Sequence, residues 1–533
     1  MKEMNPIISI KDLSLAYKKE KEITQIFEDF HLDIYPGEKI VLLGESGSGK
    51  STLARVLTGL LPPSARISSG DLVLQDIHLD LNKKFMHWNK IRGKRISMIF
   101  QDAMEALNPV ITVYDHFKDL LLHHKIVPEK EVRSFAKKIL KQLRFEDPEH
   151  ILESYSFELS GGMCQRICIA LCVSLEPEII IADEPTSALD IINQMEVLKA
   201  LKSLEGQTVF MITHDISSAS MLADRIIILQ KGVICESGSR REIIGHPQDP
   251  YTRKLIDAYA AVENIQRRKN PEHGEVILQV KDLQKTYGRH KKVLDNLYFS
   301  LRKGEVFGIL GESGCGKSTL SRCILGLEPV GHGEIMYRDA NLLNLNTKAR
   351  RQLSPQIQMV FQEARGCLHP NYPILKIVQE PLVYNKLYDP STREQMAKEM
   401  LERVGIAEEL YERRPPQLST GQCQRVGIAR ALITKPEILI CDEPISALDV
   451  PLQLQILDLL MQLKKEFDLT VILISHDFRV LKNISDTIGV MYEGRFVEIT
   501  TNPSELINSQ NPYVQKLVQA SHNAFAELQK NAQ

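Results

Sequence analysis

Two octapeptides of one design constrain this chain more than any other feature. They are Gly44-Glu45-Ser46-Gly47-Ser48-Gly49-Lys50-Ser51 and Gly311-Glu312-Ser313-Gly314-Cys315-Gly316-Lys317-Ser318. Each follows an apolar run, Lys39 to Leu43 or Glu305 to Leu310, that reads as a short buried strand. Each precedes helical spacing of apolar residues: Leu53, Val56, Leu57 and Leu60 in the first copy, Leu320, Cys323, Ile324 and Leu327 in the second. Strand, glycine loop and helix form the context in which this pattern cradles phosphate. The glycines let backbone N–H groups turn inward at a helix N-terminus, which makes an anion nest. Lys50 and Lys317 then reach the β- and γ-phosphates of a nucleotide, and the Ser51 and Ser318 hydroxyls ligate Mg²⁺. Thr52 and Thr319 continue each loop into its helix. A chance Gly/Ser turn explains one such match but not two.

The duplication divides 533 residues into halves that are each long enough to bury a full core. Residues 1–262 read as a first domain, 263–275 as a short linker without apolar periodicity, and 276–533 as a second domain. A net charge of −2, with 25% charged residues spread along the chain, gives no electrostatic reason to expect nucleic acid. No apolar run approaches the roughly 18 residues that a membrane-crossing helix needs, and the N-terminus carries no signal-peptide pattern. The expectation is a cytoplasmic protein that meets a membrane only through other subunits. Cys164, Cys168 and Cys172 recur at every fourth position of a predicted helix without a neighbouring His pair or acidic partner, so they read as packing.

Further polar residues recur in the same order in both halves. Tyr17 and Tyr287 end predicted strands and are placed to stack on adenine. Gln101 and Gln362 follow apolar runs, from which they can touch both Mg²⁺ and an adjoining subunit. Ser160-Gly161-Gly162 and Ser419-Thr420-Gly421 open helices, each a further anion site. Asp183 and Asp442 end continuous apolar runs of the kind expected for central parallel strands. A carboxylate there can hold Mg²⁺ through its water shell. Glu184 and Glu443 come next and are the candidates to activate the attacking water. His214 and His476 end another strand and can donate to a γ-phosphate.

With this set complete and in order, the sequence resembles the ATP-binding cassette (ABC) ATPases across nearly all of both halves. The resemblance implies an α/β fold of two tandem nucleotide-binding domains. Each has a P-loop parallel-sheet core, an antiparallel β subdomain and a helical subdomain. It implies ATP and Mg²⁺ as ligands and an intramolecular head-to-tail pairing of the halves. Site one then pairs Lys50, Asp183, Glu184 and His214 with Ser419-Thr420-Gly421. Site two pairs Lys317, Asp442, Glu443 and His476 with Ser160-Gly161-Gly162. Thr420 departs from the family pattern, where glycine is usual. A β-branched residue restricts φ, and a positive φ there costs about 1–2 kcal/mol. Site one is therefore expected to be weaker than site two but active.

Each half closes on a similar segment, His246-Pro247-Gln248-Asp249-Pro250-Tyr251 and Ser509-Gln510-Asn511-Pro512-Tyr513. Leu107-Asn108-Pro109 and Leu368-His369-Pro370 follow the two glutamines. These features resemble the ATPase subunits of dipeptide, oligopeptide and nickel uptake systems, here as a fused pair. That resemblance implies two transmembrane permease subunits, a substrate-binding protein, and a peripheral place on the cytoplasmic face of the cell membrane. A peptide or polyamine exporter built on the same cassettes is the alternative. A soluble ribosome-associated twin-cassette ATPase fits less well, because its linker is typically long, charged and helical.

Overall fold

The computed structural model of the protein describes residues 5–19, 22–45, 47–83, 88–187, 189–263, 274–288, 291–446 and 448–521. The described residues fall into two compact units, 5–256 and 257–521.

In the first unit the strands are β1 (Ile8–Lys19), β2 (Glu22–Ile34), β3 (Lys39–Leu43), β4 (Ala65–Leu74), β5 (Ile77–Asp80), β6 (Ile96–Ile99), β7 (Ile179–Asp183), β8 (Thr208–Thr213), β9 (Arg225–Gln230) and β10 (Val233–Ser239). One sheet, in the order β2-β1-β4-β5, is antiparallel throughout. The other has the order β10-β9-β3-β8-β7-β6 and is parallel except at its β10 edge. β7 and β8 are buried along their whole length. Strands covered on both faces need such unbroken apolar runs, whereas β1 alternates because one of its faces meets solvent. Ile8, Ile10, Leu13 and Leu15 of β1 share one core with Leu53 and Leu57 of helix Lys50–Thr58 and with Leu42, Ile181 and Phe210 of the parallel sheet. Helices Val113–His123, Val132–Gln142, Pro148–Glu153 and Gly161–Val173 build a helical subdomain between β6 and β7.

The second unit repeats the plan. Its strands are β11 (Val276–Tyr287), β12 (Lys291–Arg302), β13 (Val306–Leu310), β14 (His332–Tyr337), β15 (Ala340–Asn341), β16 (Ile357–Val360), β17 (Ile438–Asp442), β18 (Thr470–Ser475), β19 (Thr487–Tyr492) and β20 (Arg495–Thr500). They form an antiparallel sheet β12-β11-β14-β15 and a mainly parallel sheet β16-β17-β18-β13-β19-β20. Helices Ile374–Tyr384, Pro390–Arg403 and Thr420–Leu432 supply its helical subdomain.

One sequence expectation is corrected. Leu60 and Leu327 were expected on the apolar faces of the loop helices. Those helices end at Thr58 and Ile324, before Gly59 (φ 64°) and Gly326 (φ 67°). Left-handed glycine turns the chain out of the helix, and the two leucines lie exposed beyond it. Among the described residues, no helix is long and apolar enough to cross a membrane.

Candidate functional site

Strand order assembles the site. Neighbouring strands lie about 4.8 Å apart, and β3, β8, β7 and β6 are consecutive in the sheet. Their carboxyl ends therefore carry, side by side, the phosphate loop from Gly44, His214, the Asp183-Glu184 pair and Gln101. β13, β18, β17 and β16 do the same for Gly311, His476, Asp442-Glu443 and Gln362. Open α/β sheets bind ligands at this edge.

Each loop wraps its own lysine. Lys50 Nζ donates to Gly44 O at 2.7 Å and Glu45 O at 2.8 Å. Lys317 Nζ donates to Gly311 O at 2.8 Å and Glu312 O at 2.7 Å. Gly49 and Gly316 close the loops with φ of 107° and 111°. A Cβ on Gly49 would stand 2.9 Å from the Phe27 ring, so a side chain is excluded there by both backbone and space. Ser46 lies outside the described residues.

The aspartates fit a divalent cation. Ser51 Oγ donates to Asp183 Oδ1 at 3.1 Å, so hydroxyl and carboxylate share one locus. Burial raises the carboxyl pKa of both Asp183 and Asp442, and the Ser51 and Ser318 hydroxyls oppose the rise. Asp442 Oδ1 is buried without a hydrogen-bond partner. A buried carboxylate oxygen without a donor is costly unless a cation or its water shell completes it.

Glu184 and Glu443 turn on strained backbone, with φ of 46° and 44°. Their amides hold the turn by donating to Ile212 O at 2.8 Å and Ile474 O at 3.1 Å on the adjacent strands. Each carboxylate is gripped from two sides. Gln101 Nε2 donates to Glu184 Oε2 at 3.2 Å, and His214 Nδ1 lies 3.3 Å from Oε1. In the second unit Gln362 Nε2 donates to Glu443 Oε2 at 3.0 Å, with His476 Nδ1 3.4 Å from the same oxygen. Burial alone would raise both glutamates. The histidine contacts and the loop lysines outweigh it and hold both carboxyls below the usual range. Burial pulls His476 down, but the Glu443 carboxylate more than compensates and raises it. The structure thus joins Gln, Glu and His into one unit, whereas the sequence suggested three separate roles.

The aromatic candidates differ between the units. The Tyr17 hydroxyl is 3.3 Å from Thr52 Oγ1 at the start of the loop helix. Tyr287 is 37% exposed, with Lys285 Nζ 4.6 Å from its ring centroid, so one ring face already holds a cation.

Ser160-Gly161-Gly162 and Ser419-Thr420-Gly421 both open helices. Ser160 and Ser419 are N-caps, accepting from Met163 N and Gln422 N at 3.2 Å. Thr420 is the first residue of its helix and is not among the residues with positive φ. The backbone strain considered for site one is therefore absent. Among the described residues, a Cβ at Gly161, the matching position in the first unit, would meet the Leu189 side chain at 3.3 Å and nothing closer. The demanding position is the next one: a Cβ on Gly162 would lie 2.2 Å from Asn193 Oδ1, whereas Gly421 has ordinary space. The cysteine stripe packs on the segment around Gln101, with Cys172 Sγ donating to Met98 O at 3.5 Å. Burial pushes the Cys164 thiol up to about 11 and Cys172 to about 12, which leaves both protonated.

A family model described as ABC transporter matches residues 27–187 and again 294–446. The chain belongs to the ABC transporter family. As an ABC transporter ATP-binding protein it binds and hydrolyses ATP. The peptidoglycan transport ATP-binding protein YejF of Agrobacterium fabrum is 34% identical over 99% of this chain and 98% of its own. The glutathione import ATP-binding protein GsiA of Salmonella choleraesuis is 33% identical over 96% of this ABC ATPase and 89% of its own length. Both relatives thus span the two cassettes together.

Tyr251 and Tyr513 have a place at the site that sequence reasoning missed. Their hydroxyls accept from Glu45 N at 3.3 Å and Glu312 N at 3.2 Å in the two phosphate loops. The available signal was the repeated Pro-Tyr pair, which marks position but not contact.

Proposed function

We propose that this chain powers uptake of peptides, or of a related small solute, through two permease subunits served by a substrate-binding protein. The observation that carries the reading is the Gln-Glu-His unit beside a wrapped lysine at both sheet edges. Full-length likeness to proteins named for peptidoglycan transport and glutathione import supports peptides as the cargo class and import as the direction. Residues 1–262 and 276–533 are the two ATPase domains and 263–275 the linker. The chain sits at the cytoplasmic face of the cell membrane as a peripheral subunit.

In this reading the loop N–H groups with Lys50 or Lys317 hold the phosphates, and Tyr17 and Tyr287 meet adenine. Ser51, Gln101 and Asp183, with Ser318, Gln362 and Asp442, hold Mg²⁺, which neutralises charge on the phosphates when bound. Glu184 and Glu443 take the proton of the attacking water, and His214 and His476 orient them and contact the γ-phosphate. The two halves pair head to tail, so that Ser419-Thr420-Gly421 completes the first site and Ser160-Gly161-Gly162 the second. A groove of about 630 Å³ in the second unit, lined by Leu327, Leu353, Phe361 and Tyr384, runs up to Phe361, the neighbour of Gln362. It supports a seat for an apolar permease segment next to the glutamine that grips Glu443.

Reconstitution into proteoliposomes with the permeases and binding protein tests the assignment. ATP-dependent accumulation of a labelled peptide in the import direction is expected. ATP hydrolysis without peptide movement, or movement the other way, would reject uptake.

Helical Thr420 also sets an outcome for the departure in site one. Thr420→Gly is expected to leave ATP turnover within about twofold of the parent, since no strain is relieved and helix propensity changes by only about 0.5 kcal/mol. A several-fold rise would show that the threonine obstructs the site.

A further inference from the structure

We propose that Tyr251 and Tyr513 are positioning residues for the phosphate loops, their hydroxyls fixing the peptide plane on which the loop lysine rests. The proposal builds on the reading that these loops bind ATP.

One peptide unit in each loop is held at both ends. The Gly44–Glu45 peptide offers its N–H to the Tyr251 hydroxyl at 3.3 Å and its carbonyl to Lys50 Nζ at 2.7 Å. The Gly311–Glu312 peptide offers its N–H to the Tyr513 hydroxyl at 3.2 Å and its carbonyl to Lys317 Nζ at 2.8 Å. N–H and C=O point in opposite directions across a planar peptide. Fixing the N–H therefore aims the carbonyl at the lysine. The glycine before it cannot drift to compensate: a Cβ on Gly44 would lie 2.2 Å from Leu229 O, and one on Gly311 2.5 Å from Met491 O. The loop is pressed against the end of β9 or β19, and rotation of this peptide is the freedom that remains.

The tyrosines are themselves anchored. Tyr251 is 8% exposed and opens helix Pro250–Glu263. Asp249 Oδ1 accepts from Tyr251 N at 2.8 Å and Thr252 N at 3.2 Å. The Glu236 carboxylate on β10 accepts from Gln248 N at 2.9 Å and Asp249 N at 3.1 Å. In the second unit Asn511 Oδ1 accepts from Tyr513 N at 2.9 Å, Asn511 N donates to Ser509 Oγ at 3.1 Å, and Ser509 Oγ donates to Glu498 on β20. The same linkage of edge strand, capped helix start, tyrosine and loop is thus built twice with different capping residues. Tyr251 lies 206 residues from the loop it holds and Tyr513 lies 201, so only the tertiary fold creates the contact. The segment that closes each cassette thereby sets the shape of its nucleotide site.

The test is the full-length double variant Tyr251→Phe/Tyr513→Phe, read by binding of a fluorescent ATP analogue and by steady-state hydrolysis of MgATP. Losing the neutral hydrogen bond from the Glu45 or Glu312 amide to the tyrosine hydroxyl should weaken nucleotide binding about three- to tenfold. KM should rise with Kd, while kcat at saturating ATP stays within about twofold, because bound phosphates then order the loop themselves. A folding defect lowers the active fraction and hence the apparent kcat without raising KM, so the split between the two separates positioning from structural support. Unchanged Kd and KM, or a fall in kcat alone, would overturn the proposal. Lys50→Ala/Lys317→Ala serves as control. If it loses nucleotide binding while the tyrosine variant does not, only the tyrosine assignment fails. If it too binds normally, the reading of the loops fails with it.

Discussion

Exchanging Glu184 and Glu443 together for glutamine is expected to stop ATP turnover while leaving ATP bound. The fold should tolerate the change. The strained turn is held by amide bonds to Ile212 O and Ile474 O that do not involve the side chain. A glutamine Oε1 still accepts from Gln101 or Gln362, and its NH₂ can donate to a neutral imidazole nitrogen of His214 or His476. Basicity is what disappears. The structure keeps both carboxyls below their usual range despite burial, because the histidine contacts and loop lysines favour the charged form. The carboxylates are therefore ionised at neutral pH and available to take a proton. An amide cannot take one, and loss of general-base assistance costs about 10²–10⁴ in rate. Single-turnover hydrolysis of labelled ATP, alongside equilibrium binding, measures both halves of the claim. Turnover within tenfold of the parent would remove these glutamates from the proton-transfer step, and loss of binding would show that the carboxylates serve the fold instead.

Features that depend on local sequence were the legible ones. Glycine spacing, an apolar run before it and helical periodicity after it sufficed for the strand, loop and helix at Gly44 and Gly311. The unbroken apolar run Ile179 to Ala182 marked a buried strand, and the polar residues at strand ends then had to gather, since parallel strands present all their carboxyl ends on one edge. Local pattern misled at Leu60 and Leu327, where periodicity continues but a left-handed glycine has already ended the helix. At Thr420 residue type alone left φ open, and the Ser419 cap settles it by placing the threonine in the first helical turn. The bonds from Gln101 to Glu184 and from Glu45 to Tyr251 were not legible. They join residues 83 and 206 positions apart, and nothing in composition or spacing specifies such a pair.

Lys50→Ala and Lys317→Ala, made one at a time, should each lower ATP hydrolysis by more than about twentyfold. Either lysine is buried in its loop, 4% or 5% exposed, with its ammonium held by two loop carbonyls. Those carbonyls are weak partners beside a nucleotide, whose β- and γ-phosphates offer full negative charge. Loss of one preorganised charge contact to a transition state costs about 10²–10³ in kcat at its own site. Two independent sites would then leave about half of the parent rate in either single variant, because the unaltered site would continue. Under the proposed head-to-tail pairing each site is completed by the start of helix Gly161–Val173 or Thr420–Leu432 from the other half, and a half that fails to hold its phosphates also fails to close on its neighbour. Both single variants should then fall well below one half, and the double variant little further. The comparison is made at saturating ATP, with nucleotide occupancy measured in parallel so that weakened binding is separated from lost turnover. A residual rate near one half in both single variants would show that the halves turn over separately and would reject the pairing, while leaving the lysines as phosphate ligands.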